Sequence, residues 1–273
     1  MKASSSCTRR SLAVLSLLAL TACATQTTAP GAVGVERRQM LLIPSAEVDR
    51  AADQSYRKIL SEAKAKGLLN RDPAELARVR AIGARLVPVT ATFRADAPRW
   101  QWEINVIESG EVNAWCMPGG KIAVYSGLID KLKLSDAELA AVMGHEIAHA
   151  LREHGRERAS QEQAASLGLS VLGAVAGLGS GAIDLASIIT DLTLLRPNSR
   201  AHETEADRIG VELAARAAYD PHAAITLWQK MQATGGSQPP QWLSTHPAHD
   251  SRIADLKIFA DRVEPLYLAA RQR

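Results

Sequence analysis

The chain has 273 residues, 47% of them hydrophobic, which is enough for one domain with a sizeable core. A formal net charge of +3 with no basic run and only 4% aromatic residues argues against a nucleic-acid partner. There are three cysteines, Cys7, Cys23 and Cys116, and only Cys116 falls in the part expected to fold. An internal disulfide is therefore excluded, and stability must come from packing.

The first residues read as a targeting segment. Lys2, Arg9 and Arg10 precede an apolar stretch over 12–20, which closes on Leu20, Thr21, Ala22 and Cys23. Basic, apolar and small-residue regions in that order make a secretory signal, too short to span a bilayer. A cysteine after Leu-x-Ala resembles the bacterial lipobox. That implies a signal peptide over 1–22, a lipid on Cys23 and membrane attachment through acyl chains. Ala24, where an aspartate would favour the inner membrane, implies the periplasmic face of the outer membrane. Residues 23–44 are expected to form a flexible tether, since 25–35 is Thr, Ala, Gly and Pro without periodicity. A single domain then covers 45–273.

Helical spacing of Val48, Ala51, Ala52, Ile59 and Ala63 predicts a helix over 45–66, ended by Gly67. Asp72, Pro73 and Glu75 open a second helix that Pro88 is expected to stop. The period then changes to two. Trp100, Trp102, Ile104 and Val106 alternate with polar residues as a half-buried strand, and 112–117 and 121–125 form a hairpin around Pro118, Gly119 and Gly120. Ser135 and Glu138 make a capping box for a helix running through His145 and His149 to about His154. Further helices are expected near 201–217, 221–231 and 250–271. The class is α+β, predominantly helical, with one small antiparallel sheet.

His145, Glu146 and His149 fit the pattern H-E-x-x-H. Residues four apart share a helix face, so both imidazoles reach one ion, and Glu146 is placed to take a proton from a water on it. A catalytic zinc needs a third protein ligand. His154 continues the same helix, and nine residues from His145 it is expected on another face. The stretch 202–207 is the better source. Glu203 and Asp207 are again four apart, so one can bind metal while the other orients a ligand histidine. On the residues alone, His202, Glu203 and Glu205 all remain candidates.

The pair of motifs, H-E-x-x-H and Glu203-x-x-x-Asp207 followed by Arg208, Ile209 and Gly210, resembles the gluzincin zinc peptidases: CAAX prenyl endopeptidases, HtpX proteases and their soluble periplasmic relatives. The resemblance implies an HExxH metallopeptidase core holding one Zn2+ per chain, with Glu203 as third ligand and Asp207 supporting a ligand histidine. It further implies that Asn113, Ala114 and Trp115 lie on an edge strand that binds substrate as an added strand. Ser244, Thr245, His246 and Pro247 resemble the family's C-terminal motif. There His246 stabilises the developing oxyanion or fills the open zinc position at rest, and Arg252 is a further candidate for oxyanion support. Some periplasmic members carry a helical repeat domain after this motif; none is expected here, so partner recruitment through it is not expected either.

Residues 164–183 carry no charge and five glycines. Their length would span a bilayer, but they lie between ligands that must meet at one ion, and Gly, Ala and Ser dominate. A buried or site-covering helix is expected, the alternative being a re-entrant or membrane-contacting segment. The function expected is a zinc-dependent metalloendopeptidase of the bacterial envelope that degrades misfolded or misassembled envelope proteins. The rival readings are a chaperone-like or latent assembly factor for outer-membrane proteins and a structural zinc protein, the last disfavoured by the lack of cysteines.

Overall fold

The computed structural model describes residues 24–175, 184–234, 240–247 and 251–272. The expected signal peptide, the expected lipidation position Cys23 and residues 176–183 lie outside the described residues, as do the side chains of 167–175.

Two short strands, β1 (Ala24–Thr25) and β2 (Gln39–Met40), pair antiparallel ahead of helices α1 (Ser45–Ala65) and α2 (Pro73–Val89). The expected tether is therefore a packed arm. Val33 and Val35 are buried in the main core, and the Val33 amide donates to Glu212 Oε2 at 3.0 Å. Low periodicity concealed this, because the arm is anchored at separate points along its length. Asp72 caps α2, accepting from the amides of Ala74 and Glu75. Pro88 sits inside the last turn of α2 rather than stopping it.

The sheet contains β3 (Glu103–Ile107), β4 (Ala114–Met117) and β5 (Lys121–Tyr125) in the order β3-β5-β4. It is mixed, not wholly antiparallel: β4 and β5 form the expected hairpin, but β3 pairs parallel with β5. The hairpin turn places Gly119 and Gly120 at φ of 77° and 83°, a region that favours glycine. Trp100 and Trp102 precede β3 and stack on each other, with centroids 5.6 Å apart. Because β3 takes the far side of β5, β4 is left as an edge against the helix that carries the metal motif.

After α3 (Ser126–Leu132), the capping box forms as expected, with Ser135 and Glu138 satisfying each other's backbone amides at the start of α4 (Asp136–Leu151). The chain then breaks at Arg152 and at Glu153, which has φ of 51°, before α5 (His154–Val175) begins. The remaining helices are α6 (Leu185–Leu194), α7 (Arg200–Arg216), α8 (Ala223–Ala233), the short α9 (Gln241–Thr245) and α10 (Arg252–Ala270). Among the described residues, no helix is long and apolar enough to cross a membrane.

Helices α4 and α7 form the centre of the fold. They meet at two glycines: a Cβ on Gly144 would lie 2.8 Å from the Gly210 carbonyl oxygen, and one on Gly210 would lie 2.8 Å from the His145 amide nitrogen. Only hydrogen at both positions permits this approach, which brings the carboxylates one and two turns earlier on α7 against the histidines of α4.

Candidate metal centre

Four side-chain donors converge in the buried interior. Nε2 of His145 lies 3.0 Å from Nε2 of His149 and 3.1 Å from Nδ1 of His246. Glu203 closes the group: Oε1 is 3.0 Å from His246 Nδ1 and 3.4 Å from His149 Nε2, and Oε2 is 3.4 Å from His145 Nε2. Four N or O ligands placed tetrahedrally about 2.0–2.1 Å from a zinc ion would be separated by roughly 3.3 Å. The observed spacings match that, and three imidazoles with one carboxylate are a donor set suited to zinc.

Each carboxylate and imidazole is held from behind. Asp207 Oδ1 is 3.0 Å from His145 Nδ1, which directs the Nε2 lone pair into the cluster. Burial pulls the His145 pKa down, but Asp207 and Glu203 outweigh it and raise it to about 9. His149 goes the other way: burial lowers it to about 3, so its imidazole is neutral at physiological pH. Burial pushes Asp207 up, yet Arg252 and His145 hold it below its ordinary value. Glu203 is likewise held well below the carboxylate range, against its burial, by the histidines around it.

Arg252 departs from the expected role. Its guanidinium is committed to Glu203 Oε2 at 2.8 Å and to both oxygens of Asp207 at 2.7 Å, under the face of Trp228. It braces Glu203 and Asp207 and does not line the cleft beside Glu146.

Glu146 lies beside the cluster, with Oε1 accepting from Trp242 Nε1 at 2.8 Å and lying 3.3 Å from His246 Nε2. A cleft of about 40 Å³ opens there, lined by Glu146, His149 and His246 and by Cys116 and Pro118 of the hairpin. That volume admits water but not a peptide side chain. Asn113, Ala114 and Trp115 do not line it. Their side chains are buried in the core, and the hairpin reaches the cleft through Cys116 and Pro118 instead.

Two features escaped the sequence reading. Trp242 carried no motif that marked it as a partner of Glu146. A continuous helix would turn His154 away from the ion, and it is not one of the four converging donors. The break at Arg152 and Glu153 instead returns it to His149, Nδ1 to Nδ1 at 2.9 Å.

A model of peptidase family M48 matches residues 73–259, which include every donor described above. The chain belongs to peptidase family M48. The resemblance to a zinc metallopeptidase family is thereby borne out. Among curated M48-like relatives, the chain is 32% identical over 250 residues to the mitochondrial metalloendopeptidase OMA1 of Bos taurus, covering 86% of this chain and 46% of that protein. It is 34% identical over 210 residues to its Schizosaccharomyces pombe counterpart (76% and 59%). It is 30% identical over 214 residues to the beta-barrel assembly-enhancing protease of Escherichia coli K12 (75% and 42%). The M48 chain thus spans about half the length of the curated relatives it matches.

Proposed function

We propose that the protein is a zinc-dependent endopeptidase whose resting site is held shut by its own 240–247 segment. The observation that carries this is the cluster itself: three donors on two rigid helices, a general base one residue from the first, and a fourth donor supplied by a loop. His145, His149 and Glu203 would hold the ion. Bound there, zinc supplies Lewis acidity that lowers the pKa of a water and polarises the scissile carbonyl. Glu146 accepts the proton of the attacking water and delivers it to the leaving amide nitrogen. Asp207 and Arg252 keep the ligands oriented while charge develops. His246 Nδ1, 3.1 Å from His145 Nε2 and 3.0 Å from Glu203 Oε1, would take the place a catalytic zinc leaves to water, and Trp242 occupies an oxygen of Glu146. Swung clear of that position, His246 is placed to support the carbonyl oxygen.

An extended peptide would be taken up along β4, whose backbone forms the sheet edge beside the cleft. Part of that edge is used at rest, since the Trp242 amide donates to the Val112 carbonyl at 3.1 Å. The substrates proposed are misfolded or misassembled envelope proteins, and the location proposed is the periplasm, with lipid-mediated attachment to the outer membrane. The lipobox-like start supports the location, and the name of the Escherichia coli relative, a beta-barrel assembly-enhancing protease, supports a role connected with protein assembly. The closed site also favours a second reading, a chaperone-like or latent assembly factor that cleaves only when opened.

Degradation of casein by the purified protein tests the activity. Wild type is expected to cleave, a zinc chelator to stop it, and Glu146→Gln to retain zinc with cleavage reduced about 100- to 10,000-fold. Zinc-loaded wild type that never cleaves, alone or with envelope extracts, would rule out the peptidase reading.

A further inference from the structure

Behind His149 lies a second buried cluster that the peptidase chemistry does not use. His154 Nδ1 faces His149 Nδ1 at 2.9 Å, and its Nε2 faces Glu205 Oε2 at 3.0 Å. Arg152 Nε donates to the same oxygen at 2.9 Å, and Arg37 Nε donates to Glu205 Oε1 at 2.5 Å. Arg37 also forks onto both oxygens of Glu157, at 2.6 and 2.8 Å. His202 stacks on His154, with centroids 4.3 Å apart, and reaches Glu157 at 3.2 Å.

His154, Glu157 and His202 are close enough to be taken for a second metal site. The charges oppose that. Arg37 already brings a cation to Glu157, and His154 has both ring nitrogens engaged, with His149 and Glu205.

The hydrogen-bond directions instead select one arrangement of protons. A carboxylate facing His154 Nε2 requires the proton on that nitrogen. Glu205 already has two guanidinium partners, so a second proton on His154 would add a buried positive charge with no anion to meet it. His154 Nδ1 is then a lone pair, and the facing His149 Nδ1 must carry the hydrogen between them. His149 Nε2 is left bare and aimed at Glu203 and His145. We propose that His154 and Glu205 are positioning residues that fix the tautomer of the metal ligand His149, and that Arg37 of the N-terminal arm clamps them in place. This rests on the reading of His149 as a zinc ligand. It gives the two ligand histidines different supports. His145 is oriented directly by Asp207, whereas His149 is oriented through a histidine relay that ends on a segment more than a hundred positions earlier in the chain. The arm is thereby part of the site's scaffold.

The test measures zinc affinity by chelator competition and the visible spectrum of the cobalt(II)-substituted protein, neither of which depends on turnover. His154→Leu keeps the packing and removes the acceptor. It is expected to weaken zinc binding about 10- to 100-fold and to alter the cobalt bands. His154→Gln, which retains an acceptor, should recover part of that loss, and Arg37→Met should lose a smaller part. His202→Leu is the control: it disturbs the same buried stack but lies outside the relay, so affinity and spectrum should match wild type. The proposal is overturned if His154→Leu folds and binds zinc as wild type does, or if His202→Leu loses as much affinity as His154→Leu. Failure of wild type to take up zinc would instead sink the metal-site reading beneath it.

Discussion

Four donors meet at one point, yet they come from two regions built on different principles. His145, His149 and Glu203 stand on α4 and α7, whose backbones touch at Gly144 and Gly210. None of the three can leave without opening the core. His246 stands at the end of a five-residue helix held by a few bonds. The Trp242 amide donates to Val112, the Asn198 amide to Thr245 and Gln241 Nε2 to Leu194, at 3.1, 2.9 and 3.3 Å. Releasing that segment costs about 1 kcal/mol for each such bond, plus whatever part of the Trp242 burial is undone. An added peptide strand can supply energy of that order. On the proposed function, the contrast separates what would bind the ion from what would control access to it.

The rigid half is most easily broken at the helix crossing. Gly210→Ala forces a methyl group against the His145 backbone and is expected to cost about 1–3 kcal/mol of stability, with a parallel loss of zinc affinity. Thermal melts with and without zinc would show both. Unchanged melting and affinity would mean that the crossing has slack the geometry denies.

In the loop half, His246→Ala should keep zinc and raise casein cleavage several-fold, on the order of the 1–2 kcal/mol that one well-formed buried contact contributes. A fall in cleavage with zinc retained would assign His246 to support of the carbonyl oxygen rather than to closure.

The smallest effect expected is on the arm. Burial raises the Glu157 pKa, but Arg37, His202 and Gln39 outweigh it and hold the carboxyl well below the usual range. The carboxylate therefore contributes its stabilisation fully above about pH 4.3, its ordinary value. The contribution is lost only as pH falls through the depressed folded value. Limited proteolysis of the arm should show it protected at pH 5 in wild type and less so in Glu157→Gln. Equal protection in the two would mean that the ion pair does not hold the arm.

The same division explains what was legible in the sequence. The rigid half was readable because its chemistry repeats at helical spacing: His145 with His149, Glu203 with Asp207, and a capping box at Ser135 and Glu138 that fixed where α4 begins. Local signals also placed Gly67 and the hairpin glycines. The rest depends on contacts that spacing does not encode. The parallel pairing of β3 with β5 arises from where the connecting chain lies, not from alternation within a strand. The engagement of Arg252 with Glu203 and Asp207 joins residues about 45 positions apart, which no local pattern marks. The contact of His154 with His149 depends on a single residue, Glu153 at φ of 51°, which ends the helix ahead of it. The arm looked like a linker because its buried residues, Val33 and Val35, and its charged anchor, Arg37, follow no period.

The most direct test of the central claim is X-ray absorption at the zinc edge, comparing wild type with His246→Ala. The account predicts three imidazoles and one carboxylate in wild type. In His246→Ala it predicts two imidazoles and one carboxylate, with a water oxygen as the fourth neighbour. Identical spectra from the two proteins would show that His246 is not a ligand, and would contradict a site closed by its own loop.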